Sequence, residues 1–121
     1  MKKDNLIFII ITCTVLAIRL SVFLVPNIDI NVSGFIVHHF WFGLFMILVS
    51  LLISNNLTRI YLCSIGIGLT IDQLFFMLSG AGGDKEYWSI LSIYGAIFSL
   101  IIIFLLRKII VSNLRFLHKQ R

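Results

Sequence analysis

Three places in this chain carry side chains whose chemistry does not suit their surroundings: Arg19, the pair His38-His39, and Asp72 with its neighbour Gln73. Each interrupts a long apolar run. A charge within a lipid-facing helix costs about 3 kcal/mol or more on insertion scales, so it persists only with a partner, water or a function. Neutral imidazole with a carboxylate suits zinc or iron, with His39, Asp72 and His38 as ligands. Asp29, Asp84 or Glu86 would then add an oxygen. The same groups suit proton handling or an anionic substrate, since histidine exchanges protons near neutral pH and arginine grips phosphate or carboxylate. The third possibility is an ion pair or hydrogen-bond network, Asp72 with Arg19 or a histidine, that fixes the register of the helices.

The elements that position these residues are legible from composition. Of 121 residues, 60% are apolar and only 12% charged, and the mean hydropathy is +1.07. A soluble domain carries roughly twice that charged fraction. Too little polar surface exists to cover a water-soluble globule, so the apolar excess is expected to face lipid. A helix needs about 20 apolar residues to cross a bilayer core. Four runs approach that length, at 6–25, 35–53, 60–78 and 88–106, and they predict one domain, an all-α up-down-up-down bundle of four transmembrane helices with a basic tail over 107–121. The first run is no cleaved signal, because Arg19 interrupts it and three further spans follow. Ser79 to Gly83 ends the third helix. Asp84 would cap the fourth, with Glu86 in its first turn and Tyr87-Trp88 at the interface.

The net charge of +5 sits mostly at the chain ends, with Lys2 and Lys3 at one and Arg107, Lys108, Arg115, Lys119 and Arg121 at the other. Basic flanks report membrane orientation rather than nucleic-acid binding. Both termini and the 54–59 turn are therefore expected in the cytoplasm, with 26–34 and 79–87 outside. The tail reads first as a positive-inside anchor, and otherwise as an extension of the fourth helix lying against anionic lipid. Cys13 and Cys63 fall within spans and read as small apolar contacts, not a disulfide.

Depth turns three polar places into one candidate site. At 1.5 Å per residue, Arg19 and Asp72 lie roughly 9 Å below the outer ends of their helices, and His38 and His39 roughly 6–8 Å. Antiparallel helices put all of them in one outer layer. Ser64, Gly68 and Asp72 recur every fourth residue on the third helix, and His39, Gly43, Ile47 and Ser50 form a stripe on the second. Small residues mark close helix contact, so these faces should bring His39 towards Asp72. On the first helix the small face is Cys13, Ala17 and Ser21, and Arg19 points elsewhere, free to reach Asp72 or snorkel outward. Gly66-x-Gly68 lies inside a helix without a preceding strand and reads as packing, not a nucleotide loop. The scattered serines and threonines show no nucleophile–base spacing.

His38-His39-Phe40-x-x-Gly43, Gly66-x-Gly68-x-x-x-Asp72 and Tyr87-Trp88-Ser89 together resemble a group of small four-helix integral membrane proteins of archaea and bacteria. The resemblance spans about half the chain and implies that the histidines and the aspartate belong together. It carries no activity with it. In the sequences it resembles, an acidic residue commonly follows the aspartate, where this chain has Gln73. The expected function is a polar site open to the outer leaflet, holding a divalent metal such as zinc or iron, or a polar headgroup, for lipid-directed chemistry. The rival is a non-enzymatic proton or ion conduit or an accessory subunit. Membrane lipid is the expected partner, with a homodimer or another membrane protein as further candidates.

Overall fold

The computed structural model describes residues 3–25, 30–32, 35–80 and 84–119, with only the backbone described at 30–32, 35–37, 84 and 115–119. Five helices make up most of it: α1 (Lys3–Leu24), α2 (His39–Leu52), α3 (Asn56–Leu78), α4 (Asp84–Tyr87) and α5 (Ile90–Lys119). Three of them, α1, α3 and the Ile90–Leu114 part of α5, are long and apolar enough to cross a membrane. Between α1 and α2, Ile30–Val32 (β1) and Phe35–Val37 (β2) pair as an antiparallel hairpin, with Asn31 opposite Ile36.

That hairpin corrects the expected second span. The apolar run over 35–53 does not form one helix, because its β-branched start joins the hairpin and α2 begins only at His39. At 14 residues, α2 is about 21 Å long, short of a bilayer core of about 30 Å. The fourth helix is corrected at its start as well. Asp84–Tyr87 is a separate short helix, and α5 starts beyond it with Ser89 Oγ accepting from Ser92 N at 3.3 Å. The capping expected of Asp84's side chain lies outside the described residues.

α3 is the hub. It packs on α1, α2 and α5, and α1 also packs on α5, whereas α2 rests chiefly on α3. Partner pairs fix the directions. Arg59 of α3 reaches Leu114 of α5 while Asp72 lies near Ser92's partner Arg19, so α3 and α5 are antiparallel. The start of α1, the end of α5 and the α2–α3 turn share one end.

Glycines set the approach of these helices. A Cβ on Gly43 would lie 2.7 Å from Gly66 O and 2.8 Å from Thr70 N. One on Gly68 would lie 2.7 Å from Thr14 Cβ. Gly66 and Gly68, two residues apart, thus face opposite neighbours, α2 and α1. The packing face of α1 is not the small stripe expected: Cys13, Ala17 and Ser21 are exposed, and Ile7, Ile11 and Val15 are buried. Bulk wins because α3 already supplies the small side of that contact.

At the end carrying the termini, Ile7, Ile11, Ile60, Cys63, Ile103, Val111 and Leu114 form one apolar cluster. The tail continues the last long helix: α5 runs unbroken for 30 residues, and Val111 and Leu114 belong to this cluster. Arg59, only 1% exposed, lies beneath it. Its Nε and Nη2 donate to Ile53 O at 3.0 and 2.7 Å, and its Nη1 donates to Leu114 O at 3.1 Å. Ile53 ends α2, so the guanidinium sits on the negative end of that helix. Asp4 and Arg107 add an ion pair at 3.8 Å between α1 and α5.

Gly43→Ala should force α2 and α3 apart, because backbone cannot yield as a flexible side chain does. A loss of about 1–3 kcal/mol is expected, read as a lowered unfolding midpoint in detergent. Wild-type stability in this variant would contradict the contact.

Candidate functional site

The opposite end of the bundle is organised around one carboxylate. Asp72 occupies the last third of α3 and is fully buried at 0% exposure. Four elements reach towards it. From α1, Arg19 Nε donates to Oδ1 at 2.7 Å. From α4, Tyr87 OH donates to Oδ2 at 2.5 Å. From α2, His39 Nε2 lies 3.3 Å from the same oxygen. A carboxylate can only accept, so this contact is a hydrogen bond in the tautomer that carries its proton on Nε2. From α5, Ser92 holds the far side of the guanidinium, its Oγ and carbonyl oxygen accepting from Arg19 Nη2 at 3.2 and 3.3 Å.

The sequence places Arg19 here by a pattern that the small-residue reading overlooked. Ile7, Ile11, Val15 and Arg19 recur every fourth residue, so the stripe that buries α1 against α3 ends on the guanidinium. The alternative left open for Arg19 is thereby resolved inward: its side chain is 14% exposed. The long stem packs while the head finds the acid.

The aromatic groups close the site. Arg19 Cζ lies 4.9 Å from the centre of the Tyr87 ring and 5.8 Å from that of Trp88. Edge-on contacts join His39 to Tyr87, Tyr87 to Phe76, and Phe76 to His38. Tyr87 and Ser92 are site residues that the sequence reading missed, Tyr87 having been taken for an interfacial aromatic. It is 4% exposed. Burial, then the Asp72 charge and hydrogen bond, push its phenol well above the ordinary tyrosine range, so it remains a donor at physiological pH.

The two remaining expected residues have other contacts. Gln73 Oε1 accepts from Phe40 N at 2.8 Å, satisfying one of the free N–H groups that open α2. His38 supplies the residue before the helix, and its carbonyl accepts from Trp41 N at 3.1 Å. Its ring lies edge-on to Phe76, 5.4 Å between centres.

The site's inventory of donors is unbalanced. Arg19 Nη1 is shielded from solvent and has no hydrogen-bond partner among the described residues. An unmade bond of this kind costs about 1–3 kcal/mol, more for a charged group. His39, at 23% side-chain exposure, is the more open edge of the cluster.

The expected metal set of His39, Asp72 and His38 is not assembled: among the described residues no three His, Cys, Asp or Glu side chains could hold a metal ion. Asp29 and the side chain of Asp84 lie outside those residues, and Glu86 is exposed on α4. With a guanidinium on one carboxylate oxygen, a second cation would meet repulsion rather than a free ligand. Buried hydroxyls elsewhere are spent on their own helices, as in Ser64 to Ile60 O, Thr70 to Gly66 O and Ser99 to Gly95 O. They present no activated nucleophile. No protein-family model, curated protein or solved structure matches this chain.

Asp72→Asn should keep the shape but leave Arg19 as a buried charge without its counter-charge, at a cost of about 3–5 kcal/mol. Tyr87→Phe removes one donor and should cost less, about 1–2 kcal/mol. Thermal unfolding of both variants beside wild type checks the order; a Tyr87→Phe loss exceeding that of Asp72→Asn would contradict Arg19 as the main partner.

Proposed function

We propose that this is an integral membrane protein that holds the polar headgroup of a lipid at the Arg19–Asp72 cluster. α1, α3 and α5 cross the bilayer, and the segment from the hairpin through α2 makes the fourth pass. α1 and α3 run in the same direction, so the chain between them has to return the length of the bundle. The basic ends put both termini in the cytoplasm and the cluster in the outer leaflet. A reporter fused at residue 121 should read cytoplasmic, and one inserted at 27–28 should read external. The reverse pattern would overturn the orientation.

One observation carries the reading: a guanidinium fixed by Asp72 and Ser92 still has a buried Nη1 with no partner among the described residues. Its N–H groups require an acceptor oxygen, and phosphate, ester and hydroxyl oxygens of headgroups lie at that depth. Asp72 and Ser92 hold the arginine in place, so binding need not first order a flexible side chain. Trp88 and Phe23, in edge-on contact 6.3 Å apart and both exposed, offer apolar surface beside it. The bound hydroxyls below the cluster form no continuous polar chain among the described residues, which favours a binding site over a conduit.

Native mass spectrometry of protein extracted in mild detergent tests this. Wild type should retain lipid. The double variant Arg19→Gln/Asp72→Asn, which removes both charges together, should retain it about tenfold to a hundredfold less strongly. Equal retention would sink the reading. Elemental analysis of the same wild-type sample should find zinc and iron far below one per chain; a stoichiometric metal lost on His39→Ala would restore the metal alternative.

A further inference from the structure

We infer that the ligand taken by this cluster is an oxyanion, the phosphate of an anionic headgroup, and that the start of α2 helps select it. The inference rests on the headgroup reading above and narrows it from any acceptor oxygen to a negatively charged one.

The argument begins with the charges that surround Arg19 Nη1. Arg19 and Asp72 cancel. Tyr87 and Ser92 are neutral donors and acceptors from α4 and α5. On α4, Lys85 and Glu86 are exposed and of opposite sign. His38 and His39 add positive charge when protonated and none otherwise. Among the described residues, what remains is α2 itself. It begins at His39, whose ring meets Asp72, and the dipole of its first turn amounts to roughly half a positive charge.

No charge among the described residues neutralises that positive end. The residue that accepts from Phe40 N is Gln73, through an amide oxygen at 2.8 Å. A glutamate would satisfy the same N–H and cancel the helix end; glutamine satisfies it and leaves the field in place. Among the described residues the neighbourhood therefore carries net positive charge whatever the state of the histidines. A buried, unpartnered guanidinium nitrogen in a positive field is matched by an oxyanion, which completes the hydrogen bonds and the charge balance together. A neutral ester or hydroxyl would complete only the first. The start of α2 supplies potential here, while Arg19 supplies the direct contact.

Binding to purified protein in detergent micelles tests the assignment with three probes: phosphatidylglycerol, an uncharged galactosyl diacylglycerol, and inorganic phosphate. Wild type should bind phosphatidylglycerol at least about tenfold more tightly than the galactolipid. Gln73→Glu keeps the acceptor and the size of the side chain but adds a negative charge, and it should shrink that preference about tenfold. Circular dichroism and the unfolding midpoint confirm that the variant is folded; Gln73→Met, which removes the acceptor without adding charge, should retain the preference. Displacement of phosphatidylglycerol by millimolar phosphate would assign the site to the free ion, and its persistence would assign it to lipid. Equal affinity for the two lipids would overturn the oxyanion assignment while leaving headgroup binding intact. A preference that Gln73→Glu does not alter would overturn the part given to α2. Failure of the headgroup reading itself looks different: neither lipid binds, or the Arg19→Gln/Asp72→Asn protein binds both as wild type does.

Discussion

Everything at one end of this protein depends on a single buried ion pair, Arg19 with Asp72. An isolated carboxylate at 0% exposure would be untenable, and a lone guanidinium in an apolar stripe equally so. Paired, they become a fixed point to which three further elements attach: α2 through His39, α4 through Tyr87 and α5 through Ser92. Such a pair adds less net stability than its geometry suggests, because desolvation offsets most of the attraction. Its value is specificity. Sliding α1 along α3 by one turn would strand both charges.

The pair in turn requires close backbones. α3 presents Gly66 to α2 and Gly68 to α1, and it reaches both neighbours without sacrificing either contact. Asp72, one turn beyond Gly68, inherits that proximity, which lets His39 and Arg19 meet its two oxygens from different helices. The other end is held differently. Arg59 is as deeply buried as Asp72, yet its partners are the carbonyls of Ile53 and Leu114, and it closes the C-terminal end of α2 while tying α5 to the hub. The two arginines do different work: one leaves a nitrogen without a partner among the described residues, and the other bonds through all three nitrogens.

The short α2 links architecture to function. A second helix starting at Phe35 would have carried its opening N–H groups about 6 Å beyond His39, away from Asp72. Because β2 takes the first residues of that apolar run, α2 starts at His39, the residue whose ring meets Asp72. The same shortening leaves Phe40 N to Gln73, so the glutamine acts on the helix start and not on the carboxylate.

Composition and spacing alone determined the apolar helical class and the residues that had to find partners. Those features follow from composition, from roughly 20-residue periodicity and from the cost of charge in an apolar run, all of which are local. His39 and Asp72 could be paired from depth and small-residue stripes, and Gly66-x-Gly68 could be read as packing. Arg19's direction was legible only in the stripe Ile7, Ile11, Val15, and a reading that favours small residues at contacts chose the wrong face. Tertiary structure alone decided the rest. Tyr87 becomes a ligand of Asp72, and Ser92 of Arg19, through the break between α4 and α5, which no apolar count reveals. α2 begins at His39 because the hairpin competes for the residues before it. Arg59 looks like an ordinary topology-setting charge until Leu114, 55 residues away in sequence, is folded over it. Each of these depends on which surfaces meet, and that is a property of the packed chain rather than of any segment within it.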